Sequence, residues 1–348
     1  MAQQVTVAVD AMGGDRGPSV VLQGVADALL ADPDLSVVLC GPADVVQPFA
    51  ADLDRCQAVT ATEVVSMDEH PAKVVRTKKD SSLVVGCRQV KEGKAQGFFS
   101  AGSTGACLAA GMFVMGRIKG VQRPALATVV PSPVRESVML DIGANADCKP
   151  EYLVQFATMG TVFARSILGV ADPQVALLNI GEEDEKGSAL AQESHKLLRA
   201  ELPNFAGNCE GRDVLASTFD VVVTDGFTGN VCLKTIEGTA KVLMAALKER
   251  MTATPVSSLG ALLVKNSVYS LKDQLSPDTY GGGPLLGVKG ELIVGHGSSN
   301  ELAIKNGILT TARMVRAGVW RAIAEQIAAL DAEGDGAEDA AEDVAHEL

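Results

Sequence analysis

Short apolar, β-branched runs alternate along the chain with longer stretches whose apolar residues recur at helical spacing, the pattern of β-α-β units around a mostly parallel sheet. Val5–Val9 reads as a buried strand, and Pro18 and Ser19 open a helix with Val21, Val25, Ala28 and Leu29 on one face. The same rhythm predicts strands at Val37–Cys40, Gly97–Ser100, Leu126–Val130, Val138–Ile142, Val175–Ile180, Val221–Thr224 and Glu291–Val294. It predicts helices at Gly105–Gly116, Glu151–Leu168, Ser188–Leu202 and Val231–Arg250, and a last helix ending near Leu330. No Pro-, Gly- or Ser-rich linker divides the chain, so residues 1–330 are expected to form a single α/β domain. The rhythm breaks at about 242–280, where two helix-like pieces flank Pro255, Ser257 and Ser258 before the turn-forming Tyr280–Pro284. This segment reads as a helical excursion from the sheet.

Polar residues gather at the strand ends. Six loops that follow predicted strands carry glycine beside hydroxyl, amide or carboxylate groups: Asp10–Asp15, Ser100–Ala106, Asp141–Asp147, Asn179–Gly187, Asp225–Asn230 and Gly295–Asn300. In a parallel sheet all of them lie at one edge, where α/β proteins bind ligands, so a single shared cleft is expected. Glycine lets the backbone approach a ligand closely, and the helix starts that follow offer N–H groups, a chemistry suited to phosphate. Asp10, Gly13, Gly14, Ser103, Thr104, Gly105, Asn145, Asp225 and Gly229 are the candidate phosphate and substrate contacts; the other reading is that such residues only build tight turns. Lys186, within Glu182–Gly187, is either a tethered cation for phosphate or part of a solvated charge run. Asn230 is suited to polarising a carbonyl, and Asn300 either does the same or caps the last helix. His296 is the histidine that falls within one of these loops.

Other chemistries find no support. The chain has no G-x-x-x-x-G-K-[ST], and Gly295–Asn300 departs from the dinucleotide fingerprint at its last position with no second strand to follow. His70, His195, His296 and His346 show no metal-ligand spacing, so neither a metal nor a redox cofactor is expected. Cys107 lies among Ala and Leu and reads as a small core hydrophobe, while Ser103 lacks the G-x-S-x-G setting of a nucleophile. Seven cysteines without a C-x-x-C pair, no signal-like start and no apolar run of about 18 residues point to the cytoplasm.

Charge then narrows the partners. Thirty Lys and Arg against 43 Asp and Glu give −13, and aromatics make up only 4%, which argues against nucleic acid. Eight of the acidic residues lie in 331–348, a tail without Lys or Arg that is expected to be disordered, leaving the body at about −5. Against that background Lys73–Lys94 is locally basic, and Arg76, Lys78 and Lys79 are candidates for docking an acidic protein; ordinary solvated helix faces are the alternative.

Taken in order, Val7–Pro18, His70–Lys73, Lys78–Ser82, Ser100–Ala106, Asp141–Asn145, Asn179–Glu183 and Asp225–Asn230 closely resemble the bacterial phosphate acyltransferase family of phospholipid synthesis, from about Val5 to the last helix. The resemblance implies a three-layer α/β/α sandwich related to phosphate acetyltransferases and isopropylmalate-type dehydrogenases. It implies an enzyme that moves a fatty acyl chain from acyl carrier protein to inorganic phosphate, supplying acyl phosphate to a membrane-bound glycerol-3-phosphate acyltransferase. It further implies a homodimer with peripheral membrane contact, for which the excursion's Leu243, Leu247, Leu259, Leu262, Leu263 and Val264 offer an apolar face; core packing is the other reading of those residues. A phosphate acetyltransferase-like enzyme using coenzyme A thioesters is the nearest rival.

Overall fold

A computed structural model describes residues 3–130, 132, 135–274, 279–330 and 332. The acidic tail beyond 332 lies outside the described residues. Among the described residues eleven strands form one sheet: β1 (Val5–Asp10), β2 (Leu35–Gly41), β3 (Cys56–Thr60), β4 (Gly97–Ser100), β5 (Ala125–Val130), β6 (Ser137–Leu140), β7 (Val175–Leu178), β8 (Phe205–Cys209), β9 (Val221–Val223), β10 (Gly283–Leu286) and β11 (Glu291–Val294). The helices are α1 (Pro18–Ala31), α2 (Ala43–Ala51), α3 (Pro71–Thr77), α4 (Ser82–Lys91), α5 (Thr104–Ala110), α6 (Pro150–Phe163), α7 (Ala189–Glu201), α8 (Gly211–Ala216), α9 (Gly226–Thr252), α10 (Pro255–Gln274) and α11 (Glu301–Ala317).

Successive strand residues feed two separate apolar layers. Val7, Val9, Phe99 and Val223 join one with Val25 of α1, Phe156 of α6 and Ile304 of α11; Ala8, Phe98 and Val222 join the other with Val84 of α4 and Ala106 of α5. Because side chains alternate across a strand, central strands buried on both faces must be apolar throughout, and the sheet becomes the middle layer of an α/β/α sandwich. The sheet is continuous from β3 to β8.

Strand direction corrects the expectation of a single ligand edge. The order is β3-β2-β1-β4-β11-β10-β5-β6-β9-β7-β8. The first five strands are parallel to one another, and so are the last four, but β10 is antiparallel to both β11 and β5, and β5 is antiparallel to β6. The two parallel blocks therefore run in opposite directions, and their carboxyl ends face opposite edges. The loops after β1, β4 and β11 form one group, those after β6, β7 and β9 another.

Three predicted helices end differently, among them Gly105–Gly116, where a π turn at Gly111–Met115 follows α5. The expected last helix divides at Gly318, whose left-handed φ of 66° ends α11 before a further helical segment at 319–330. The predicted Glu151–Leu168 helix is α6 followed by a wider π turn at Ala164–Leu168. The segment expected to be an excursion is occupied by α10 and by the second half of α9. From Val242 onward this helix and α10 expose Val242, Leu243, Leu247, Val256, Leu259, Leu262, Leu263 and Val264, and a groove of about 490 Å³ lies between Met244, Leu247, Met251, Leu262, Val268 and Tyr269. Among the described residues no helix is long and apolar enough to cross a membrane.

Candidate active site

In the first loop group a buried carboxylate organises the backbone. Asp10 accepts hydrogen bonds from the Met12 N–H at 3.0 Å and the Ser100 hydroxyl at 2.8 Å, and Ser100 Oγ accepts from the Gly102 N–H at 3.0 Å. Burial pushes the Asp10 carboxyl up, opposed by hydrogen bonds from Ser82, Ser100 and Met12. Gly13 is needed because a Cβ there would stand 2.8 Å from the Gly102 nitrogen. The Asp15 N–H reaches the Gly297 carbonyl at 2.7 Å and joins the third loop. Asp10 thus holds the loops together and is itself buried, at 3% exposure. Gly14, Ser103, Thr104 and Gly105 line the same group, with Thr104 exposed at the start of α5. Asn300 accepts the Ala303 N–H at 2.8 Å as the cap of α11, and the exposed His296 ring bonds within its own turn to Ser298 at 2.8 Å.

The second group repeats the device. Asp141 Oδ1 accepts from the N–H groups of Leu126, Gly143 and Ala144 at 3.1, 3.1 and 2.9 Å; Oδ2 accepts from the backbone and side-chain nitrogens of Asn145 at 2.7 and 2.8 Å. Burial raises this carboxyl's pKa against the pull of those donors. A Cβ on Gly229 would stand 1.9 Å from the Asp141 carbonyl oxygen, so only glycine lets α9 start where it does. Asp225 caps that helix by accepting from the Thr228 N–H at 2.8 Å, and Gly226 donates to the Asn145 carbonyl at 2.8 Å. Asn230, one residue beyond, is exposed, with its side chain against Gly143.

Lys186 lies in the loop after β7, the strand that pairs with β9. It is exposed, and its stem passes over Gly181. Four acids precede it, yet two are held elsewhere: Glu182 by Arg212 at 3.1 Å and Asp184 by Arg199 at 3.2 Å, with His195 also 3.2 Å from Asp184. The loop backbone is fixed as well. Asn208 donates to the Glu183 carbonyl at 2.8 Å, Gln192 to the Glu185 carbonyl at 2.8 Å and Asn179 to the Lys186 carbonyl at 3.0 Å. Among the described residues no carboxylate forms an ion pair with Lys186. Sequence reasoning missed the anchors His195, Arg199 and Asn208; the i,i+4 spacing of His195 and Arg199 on one helix was the available signal.

The structure brings Asn145, Asp225, Gly229, Asn230 and Lys186 to one edge and leaves Asp10, Gly13, Gly14, Ser103, Thr104, Gly105, His296 and Asn300 at the other. Cys107 is buried, and burial pushes its thiol up to about 12, as befits a core residue. Among the described residues no three His, Cys, Asp or Glu side chains are grouped to hold a metal ion. Of the docking candidates, Lys78 has its ammonium engaged by Glu69 and the Val64 carbonyl, both at 2.7 Å. Arg76 and Lys79 are exposed.

Residues 5–322 match the family model described as fatty acid synthesis protein. A phosphate acyltransferase of Desulfitobacterium hafniense (strain Y51) is 47% identical over 325 residues, 92% of this chain and 97% of that protein. The chain belongs to the phosphate acyltransferase family. Another phosphate acyltransferase, from Lactiplantibacillus plantarum, is 44% identical over 331 residues, covering 93% of this chain and 95% of its own. Distant solved structures share the fold of this acyltransferase: a phosphotransacetylase from Streptococcus pyogenes (TM-score 0.58, 16% identity, 89% of this chain and 93% of that one) and a branched-chain phosphotransacylase from Enterococcus faecalis V583 (0.57, 15%, 89% and 99%).

Proposed function

We propose that this acyltransferase moves a fatty acyl group from acyl carrier protein to inorganic phosphate. The observation that carries the reading is Lys186, an exposed cation whose neighbouring carboxylates Glu182 and Asp184 are neutralised by Arg212 and Arg199, on the same edge as Asn230. A phosphate dianion held by that ammonium meets less repulsion from the acidic loop, because Glu182 and Asp184 are paired and only Glu183 and Glu185 remain without a cation partner among the described residues. One phosphate oxygen attacks the thioester carbonyl carbon, and the carbonyl oxygen takes the negative charge, accepting a hydrogen bond from the Asn230 amide. Collapse reforms the carbonyl and breaks the C–S bond, so the products are acyl phosphate and the carrier thiolate, which takes a proton from solvent. Substrate contact is assigned to Lys186 and Asn230; Ser103, Thr104 and His296 lie at the other edge and are given no part in the step. Asp10, Asn145, Asp225 and Gly229 support the loops.

The product suits a membrane-bound glycerol-3-phosphate acyltransferase, and the exposed leucines of α9 and α10 support homodimer formation and peripheral contact with a lipid surface. Purified protein incubated with long-chain acyl carrier protein and phosphate is expected to release carrier thiol and yield an acyl phosphate that hydroxylamine traps. Release that does not depend on phosphate, or turnover of coenzyme A thioesters in preference to the carrier, overturns the reading.

A further inference from the structure

We infer that Arg117, Lys119, Arg123 and Lys289 form the docking surface for the acidic carrier protein, at the edge that holds Asn230 and Lys186. This deepens the proposed reaction and rests on it for the identity of the partner. All four side chains are exposed. No Asp or Glu occurs in residues 93–135 or 279–290, in a chain of net charge −13, so the cations have no acidic neighbour on their own segments.

The patch is rigid and continuous. Residues 116–118 pair with 287–289: Arg117 bridges Val288, Lys289 donates its N–H to the Gly116 carbonyl at 2.8 Å, and Ile118 donates to the Gly287 carbonyl at 3.1 Å. The buried Gln155 of α6 holds the turn that follows, donating to the Gly120 carbonyl and accepting from the Gln122 N–H, each at 2.9 Å. The Lys289 stem lies over Gly116, and the Arg117 guanidinium donates to the Gln122 carbonyl beside Arg123. Val90 packs on Gly290 and brings the last turn of α4, with Lys91, next to Lys289; Glu92 on that turn is already paired with Lys94 at 2.7 Å.

Position decides between this patch and the stretch at Arg76–Lys79. Pro124, immediately after Arg123, accepts the Asn145 amide at 2.8 Å, and the Asn145 loop carries Gly143, against which Asn230 lies. The Arg76–Lys79 stretch instead borders the opposite edge, with Pro71 against Gly105 and Ser82 on Asp10. A carrier that delivers a thioester to Asn230 is oriented by cations beside Asn230. Complementary potential raises the encounter rate and fixes register.

The test is the triple variant Lys119→Glu, Arg123→Glu, Lys289→Glu, which keeps the Arg117 contact, set against the pair Arg76→Glu, Lys79→Glu. At low salt the triple variant is expected to raise the KM for acyl carrier protein about tenfold or more, with kcat and the phosphate KM unchanged and the salt dependence of KM lost. The control pair is expected to change that KM by less than about twofold. An unchanged carrier KM in the triple variant, a larger effect in the control pair, or loss of binding to anionic vesicles while the carrier KM stands, each overturns the inference. If wild type shows no phosphate-dependent turnover, the proposed reaction fails on its own. Direct titration with carrier protein then decides the surface: binding by wild type that the triple variant loses upholds it, and no binding by wild type overturns it.

Discussion

The side-chain amide of Asn145 donates at 2.8 Å to the Asp141 carboxylate and at 2.8 Å to the Pro124 carbonyl, so one residue ties the end of β6 to the start of β5. Those strands are antiparallel, and the tie fixes the loop on which Asn230 rests. Asn145→Ala removes a donor from a buried carboxylate and is expected to cost about 1–3 kcal/mol in urea unfolding. Asn145→Asp sets a second carboxylate against the first and is expected to cost more as pH rises, because both groups are then charged.

Two glycines of α9 make a matched pair. Gly229→Ala drives a methyl into the Asp141 carbonyl oxygen and is expected to cost about 3 kcal/mol or more. At Gly238 a Cβ meets nothing within 4 Å, so Gly238→Ala is expected to stabilise by about 0.5–1 kcal/mol. Denaturant midpoints of the two variants moving in the same direction would contradict this reading.

Glu291 is buried at the start of β11 and accepts the Trp320 N–H at 2.9 Å where the 319–330 segment begins. Burial pushes its carboxyl up to about 7 from 4.5, with the Trp320 N–H and Arg321 pulling the other way. The folded state therefore holds this proton more tightly than the unfolded chain. The contribution to stability is complete below about 4.5 and is lost as pH rises through about 7, a fall on the order of 3 kcal/mol. Glu291→Gln is expected to flatten that slope in thermal melts taken across the interval.

Lys186→Ala is expected to raise the KM for phosphate about tenfold or more, equivalent to about 1.4 kcal/mol, with the fold intact by circular dichroism. Asn230→Ala acts on the transition state and is expected to lower kcat by about a hundredfold while leaving the phosphate KM in place. Steady-state kinetics that exchange these two signatures would reverse the roles assigned to the residues.

The α9–α10 leucines are exposed, so Leu259→Ser with Leu263→Ser is expected to change unfolding stability by less than about 0.5 kcal/mol. The same variant is expected to lose cosedimentation with lipid vesicles. Retained cosedimentation would remove these residues from the proposed membrane contact.

Strands buried on both faces were legible because each is a short run of Val, Ile, Leu or Phe: Gly97–Ser100 and Glu291–Val294 occur as the periodicity predicts. The strands that periodicity missed lack that mark. β3 is half-exposed along its length, β8 reads Phe-Ala-Gly-Asn-Cys, and β10 opens on Gly-Pro. The candidate loops were legible as polar, glycine-bearing strand ends, but not the division of labour within them. Asp10 looks like a ligand in the sequence; in the structure it accepts hydrogen bonds from the Met12 N–H and the Ser100 hydroxyl and holds its loop, as Asp141, enclosed by N–H donors, holds the loop after β6.

Taken alone, the sequence determined the doubly buried strands, the glycine loops after them and the presence of Lys186 and Asn230 in two of those loops, since all of these are properties of neighbouring residues. Only the tertiary structure decided which loops share an edge. β10 enters the sheet antiparallel between β11 and β5, although more than 150 residues of chain separate it from β5; these two antiparallel steps and the β5–β6 step that follows make three reversals, so the second block runs opposite to the first. Strand direction is set by hydrogen bonds between distant segments, which no local pattern records.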